Sequence, residues 1–86
     1  MSDEAIRERI RTAIGELAPV AGTVAPATSL TVDLGFDSLG LIELAVYLEQ
    51  ELQLPAAAED DLAGVETVAD VEALVLGLLV PDRPDA

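Results

Sequence analysis

The 86-residue sequence contains no cysteine, no histidine and no lysine, its four basic residues all being arginines. Without cysteine there is no disulfide scaffold, no thiolate chemistry and no cysteine-ligated metal. Without histidine, the commonest general base and the commonest zinc ligand are both missing. Aromatic residues make up only 2% of a chain that is 51% hydrophobic, so the core has to be assembled from Leu, Val, Ile and Ala. That composition suits packed helices and argues against a barrel or sandwich. A chain of this length makes one domain, and folding buries only a little over ~60% of its unfolded surface.

Charge is equally one-sided, at −13 formally. Arg7, Arg9 and Arg11 lie near the start and Arg83 near the end, while every acidic residue except Asp3, Glu4, Glu8 and Asp85 falls between Arg11 and Arg83. A field of this sign repels phosphate, which excludes nucleic acid and anionic membrane surfaces as natural partners and favours proteins with basic patches. The longest apolar run, residues 73–80, is far short of the ~20 residues a spanning helix needs, and the first residues are acidic where a signal peptide is basic. The expectation is a soluble, cytoplasmic, monomeric protein.

Hydrophobic spacing divides the chain into helices and loops. Ile6, Ile10, Ile14 and Leu17 recur at helical intervals over residues 3–17, with Asp3 and Glu4 suited to the helix start and the arginines on the wet face. Pro19 and Gly22 end that helix. Residues 18–36 show no sustained period, and a loop of this length is usually functional or wrapped on the core. Leu30, Leu34 and Phe36 are the residues expected to hold it down. Leu30, Val32 and Leu34 alternate like a strand, yet nothing nearby offers a partner strand, so the loop is preferred.

Asp37 is a good cap for a second helix over residues 38–52, in which Ile42, Ala45, Leu48, Glu49 and Leu52 step by three and four. Its opposite side carries Gly40, Glu43, Tyr47, Gln50 and Glu51, with Leu39 and Val46 at the margin. Pro55 ends it. A short helix is expected around residues 58–62, with Leu62 pointing inward. Thr67-Val68-Ala69-Asp70 has capping-box spacing and opens a last helix with Val68, Val71, Leu74, Val75, Leu78 and Leu79 on a wide apolar face. The predicted fold is all-α: a small four-helix bundle of three main helices plus one short helix, with a long loop between helices one and two. Residues 1–86 form a single domain, structured over about 3–80 and followed by a flexible tail at 81–86.

One string carries more information than a cap requires. Asp33-Leu34-Gly35-Phe36-Asp37-Ser38-Leu39, preceded by a long loop and followed by an amphipathic helix with Glu43-Leu44 and Leu48-Glu49, resembles the signature of the acyl carrier proteins. The likeness extends to Thr28-Ser29-Leu30 and to Thr67-Val68-Ala69-Asp70-Val71, and so spans nearly the whole domain. It implies that Ser38 accepts a 4′-phosphopantetheine arm from coenzyme A and that the arm holds an acyl group as a thioester. Asp37 and Leu39 then flank the site as contacts for the phosphopantetheinyl transferase. It also implies partner enzymes that load and process acyl groups and carry basic docking patches. For these, Leu39, Gly40, Glu43, Val46, Tyr47, Glu49 and Gln50 are the expected recognition residues, with Glu51 beside them. Ile42, Val46, Leu62, Val68 and Leu74 are the expected lining of a cargo pocket.

A hydrolytic role for Ser38 fails on composition. A serine nucleophile needs a base, and the chain has neither His nor Lys; Phe36 also stands where the Gly-x-Ser-x-Gly elbow needs its first glycine. The acidic run Glu59-Asp60-Asp61 lacks the spacing of a calcium loop, so no metal site is expected. Three departures from the family pattern point away from housekeeping fatty acid synthesis. Gly40 replaces an acidic residue at a cost of up to about 1 kcal/mol in helix propensity. Phe36 replaces a small residue, and Leu52-Gln53-Leu54-Pro55 shortens the hinge. A free-standing carrier in polyketide or related natural-product synthesis is expected. A free-standing aminoacyl or peptidyl carrier is the nearest alternative, and an unmodified acidic adaptor module is the rival from another class.

Overall fold

A computed structural model describes residues 2–54 and 64–79. Three helices account for most of them: α1, Asp3–Leu17; α2, Ser38–Leu52; and α3, Val68–Leu79. The short helix expected around residues 58–62, Leu62 with it, lies outside the described residues, as does the expected tail at 81–86. Among the described residues there is no strand beyond one antiparallel bridge pair, Ser29 with Thr67.

Ser2 caps α1, its hydroxyl accepting the Ala5 amide at 3.2 Å, and Asp3 and Glu4 occupy the first turn. Ile6, Ile10, Ala13 and Ile14 form the buried stripe, whereas Leu17 is exposed on the last turn. The helix stops because Pro19 forces Ala18 into extended backbone, at φ −63° and ψ 126°.

The long loop is bound by hydrogen bonds at both ends. The Val20 amide donates to the Leu34 carbonyl, so the loop closes on itself. Between these points, the Ser29 amide donates to Asp33 Oδ2 at 2.8 Å, and the Asp33 and Leu34 amides return to the Ser29 carbonyl. This single turn buries Leu30 and Leu34 and leaves Val32 84% exposed, which explains an alternation that looks like a strand. The pairing partner is supplied from far along the chain. The Leu30 amide donates to the Glu66 carbonyl, and the Val68 and Ala69 amides donate to the Thr28 and Pro26 carbonyls. The loop thereby provides acceptors that the first turn of α3 otherwise lacks.

The phase of α2 differs from the expected one. Leu41, Leu44, Ala45, Leu48 and Leu52 are buried, while Ile42 is 41% exposed and Glu49 is half-buried. Apolar residues occur almost all round this helix, so spacing alone leaves its rotation open. Pro55 is outside the described residues, and the helix has already ended at Gln53, whose left-handed backbone (φ 56°, ψ 49°) lets the Leu54 amide return to the Glu49 carbonyl.

The capping box of α3 forms as expected. The Asp70 amide donates to Thr67 Oγ1, and Asp70 Oδ2 accepts the Thr67 and Glu66 amides at 3.1 and 3.2 Å. These amides, Thr67's foremost, lower the Asp70 pKa below its ordinary value. A carboxylate favoured in the fold stabilises it above the unfolded pKa of about 3.9, and that contribution is lost as pH falls through the folded value. Wild type should therefore exceed Asp70→Asn in denaturant midpoint at pH 7, and the gap should close below about pH 4. A gap that persists at pH 2 would contradict this assignment.

On α3 the fully buried residues are Val68, Val71 and Val75, joined by Leu76; Leu74, Leu78 and Leu79 are only partly buried. Glu72 is buried among them. Its carboxylate takes Arg11 Nε at 2.7 Å and lies 3.8 Å from Arg7 Nε, so these two arginines turn to α3 instead of lying on the wet face. The hydrogen bond to Glu72 raises the Arg11 pKa above its ordinary value. Close backbone approaches join α1 to α2 and α1 to α3, and none joins α2 to α3. The first helix is the spine of the domain.

Candidate functional site

The string from Asp33 to Leu39 is laid across the surface by two pegs. Leu34 and Phe36 are buried on either side of Gly35, and the Phe36 amide donates to the Leu30 carbonyl at 2.9 Å. Gly35 takes φ +78°, and a Cβ there would lie 2.8 Å from Val20 Cγ2. Both the backbone conformation and the close approach demand glycine.

Asp37 then starts α2. Its backbone is extended, at φ −107° and ψ −174°, and its Oδ1 accepts the Gly40 amide at 2.7 Å. Ser38, the first helical residue, is exposed. The helix supplies no acceptor for the Ser38 and Leu39 amides, so two N–H groups and the positive end of the helix dipole converge on the region in front of the serine. His and Lys, the residues most often recruited to activate a serine hydroxyl, are absent from the chain. Among the described residues there is no cluster able to hold a metal ion.

The expected recognition residues separate into two groups. Leu39, Ile42 and Val46, 64, 41 and 36% exposed, form an apolar strip along α2, and Glu43, Gln50 and Glu51 are exposed on the same helix. Gly40, Tyr47 and Glu49 are partly buried. Tyr47 packs against the core and donates its hydroxyl to Glu16 Oε1 at 3.3 Å, bridging α2 to α1; the Glu16 charge raises its pKa. The expected cargo-pocket residues do not share one exposed surface. Val68 is sealed in the core and Leu74 is partly buried on α3, while Ile42 and Val46 open to solvent on α2; Leu62 is outside the described residues. Sequence reasoning missed the Glu72 clamp and the Ser29–Asp33 turn. The signals were present: Glu72 falls within the apolar stripe of α3, and Arg7 and Arg11 stand one helical turn apart on α1.

The site is thus a serine exposed at the start of a capped helix in a small helical domain. Residues 8–75 match the family described as the phosphopantetheine attachment site. An acyl carrier protein of Saccharopolyspora erythraea is 35% identical over 94 aligned positions, covering all of this chain and 98% of its own length. The meromycolate extension acyl carrier protein of Mycolicibacterium aurum is 41% identical over 65 positions, or 73% of this chain and 63% of that protein. An acyl carrier protein of Cyanidioschyzon merolae is 29% identical over 73 positions, 81% of this chain and 80% of its own.

The chain belongs to the acyl carrier protein family. Its members are carriers and not catalysts; their prosthetic group is a covalent 4′-phosphopantetheine, and their partners are the transferase that installs it and the enzymes that process the acyl group. The site fits such a group. The hydroxyl is open to approach, and a phosphodiester there meets unpaired amides and the helix dipole, worth about 0.3–1 kcal/mol at an exposed position.

Proposed function

We propose that Ser38 carries the arm and that the chain delivers an acyl intermediate, held as a thioester, to the enzymes of a specialised pathway such as polyketide synthesis. The observation that carries the attachment is the exposure of Ser38 at the start of a helix capped by Asp37, within Asp-Leu-Gly-Phe-Asp-Ser-Leu. Transfer joins Ser38 Oγ to the phosphorus of the pantetheine phosphate and breaks the pyrophosphate of coenzyme A, releasing adenosine bisphosphate. The base that takes the serine proton comes from the transferase in this reading, since the chain has neither His nor Lys and Asp37 Oδ1 is engaged on the Gly40 amide.

The docking surface is the strip Leu39, Ile42 and Val46 with Glu43, Gln50 and Glu51. Asp37 and Leu39 are the transferase contacts nearest the serine. Apolar contact at the strip supplies affinity, and a basic patch on the partner meets the acids; α2 carries no cation to oppose it. A specialised pathway is supported by Gly40 and Phe36, which depart from the fatty acid pattern, and by the likeness to carriers named for meromycolate extension. Incubation of the chain with coenzyme A and a broad-specificity transferase should raise its intact mass by one arm. No increase would sink the reading.

Cargo is expected to shelter on the α2–α3 side, against Ile42, Val46 and Leu74, where the helices make no close backbone approach. Val68 would then be the floor of the pocket. Amide shifts of the acylated chain, measured against the unacylated one, should move along α2 and α3. Shifts confined to the neighbourhood of Ser38 would place the cargo outside.

A further inference from the structure

Phe36 and Gly40 differ from the family pattern at two separate places in the sequence, yet in the fold they meet. A Cβ built on Gly40 would lie 3.2 Å from Phe36 Cδ1 and 3.1 Å from Asp37 Oδ1. The ring cannot easily yield, because Phe36 is only 3% exposed and its amide is fixed to the Leu30 carbonyl. The Asp37 carboxylate is also engaged, on the amide of Gly40 itself. Gly40 is thus confined from both sides by the two residues that precede Ser38. A side chain there would push either the anchor or the cap.

We infer that Phe36 is a positioning residue for Ser38 and that Gly40 is the residue its ring requires. The two form one steric unit. The ring fixes the chain before the serine, the Asp37–Gly40 bond fixes it after, and the serine oxygen is held where the transferase must meet it. This explains why a residue of poor helix propensity stands in the first turn of a helix. It also predicts that the penalty of a side chain at 40 depends on what stands at 36.

The inference rests on Ser38 being the attachment point, and the test separates the two. Wild type, Gly40→Ala, Phe36→Val and the double variant are compared for thermal melting and for steady-state arm transfer from coenzyme A, well below every melting temperature. Next to the wild-type Phe36, Gly40→Ala should lower melting by about 4 °C and kcat of transfer about tenfold, with KM little changed, as misplacement of a reacting atom does. With valine at 36 the contact with the ring is gone and only that with Asp37 Oδ1 remains, so the same substitution should lower melting by less than about 2 °C and kcat by less than about threefold relative to the Phe36→Val parent. Equal effects of Gly40→Ala in both backgrounds would overturn the coupling, as would a loss confined to KM. Failure of wild type itself to take the arm would instead overturn the attachment at Ser38.

Discussion

Gly35→Val destabilises the domain by about 2–5 kcal/mol, the sum of a left-handed backbone forced on a branched residue and an overpacked contact. The first part follows from φ +78° and the second from the 2.8 Å separation between a Cβ and Val20 Cγ2, with Pro19 Cβ close behind at 3.6 Å. Small domains are stable by only about 5–15 kcal/mol in total, and this one has modest apolar area to draw on. A urea midpoint far below that of wild type is therefore expected for Gly35→Val. Gly35→Ala should fall between the two, and Val20→Ala should rescue it in part, relieving the contact and leaving the backbone strain. An unchanged midpoint for Gly35→Val would mean that the turn before the serine is not the one described.

Ser38→Ala has the opposite character: complete loss of arm attachment with almost no effect on folding. The hydroxyl is exposed and caps nothing, since the cap is Asp37, and surface substitutions of this kind usually stay within ±0.5 kcal/mol. The urea midpoint should match wild type. Intact mass after incubation with coenzyme A and transferase should show no added arm. Ser29, the nearest other serine to the motif, is engaged through its hydroxyl with the Val32 amide in the braced turn and does not substitute. An equal gain in mass on Ser38→Ala would place the arm elsewhere.

Much of this was legible in the sequence. The bounds of the three described helices, the caps at Asp37 and Thr67, and the burial of Leu30, Leu34 and Phe36 follow from local rules that depend on a few neighbouring residues. What was not legible depended on contacts distant in sequence. The rotation of α2 could not be read because apolar residues surround it, so Leu41 and Leu44 took the core and Ile42 was left outside. Glu72 falls within the apolar stripe of α3, but its partners Arg7 and Arg11 come from α1, far away in the sequence. Likewise, the bridge between Ser29 and Thr67 joins segments that no local pattern relates. At the site, the motif names the serine, but the reason for Gly40 appears only when the Phe36 ring is found beside it.

Protease cleavage after acidic residues offers the most direct test, because Asp37 and Glu43 bracket the serine. The resulting fragment, residues 38–43, contains Ser38 as its sole hydroxyl. After incubation with coenzyme A and transferase, mass spectrometry should find the phosphopantetheine arm on this fragment and on no other. An unmodified 38–43 fragment from a chain that has gained the arm, or a chain that gains none, would contradict the assignment of Ser38.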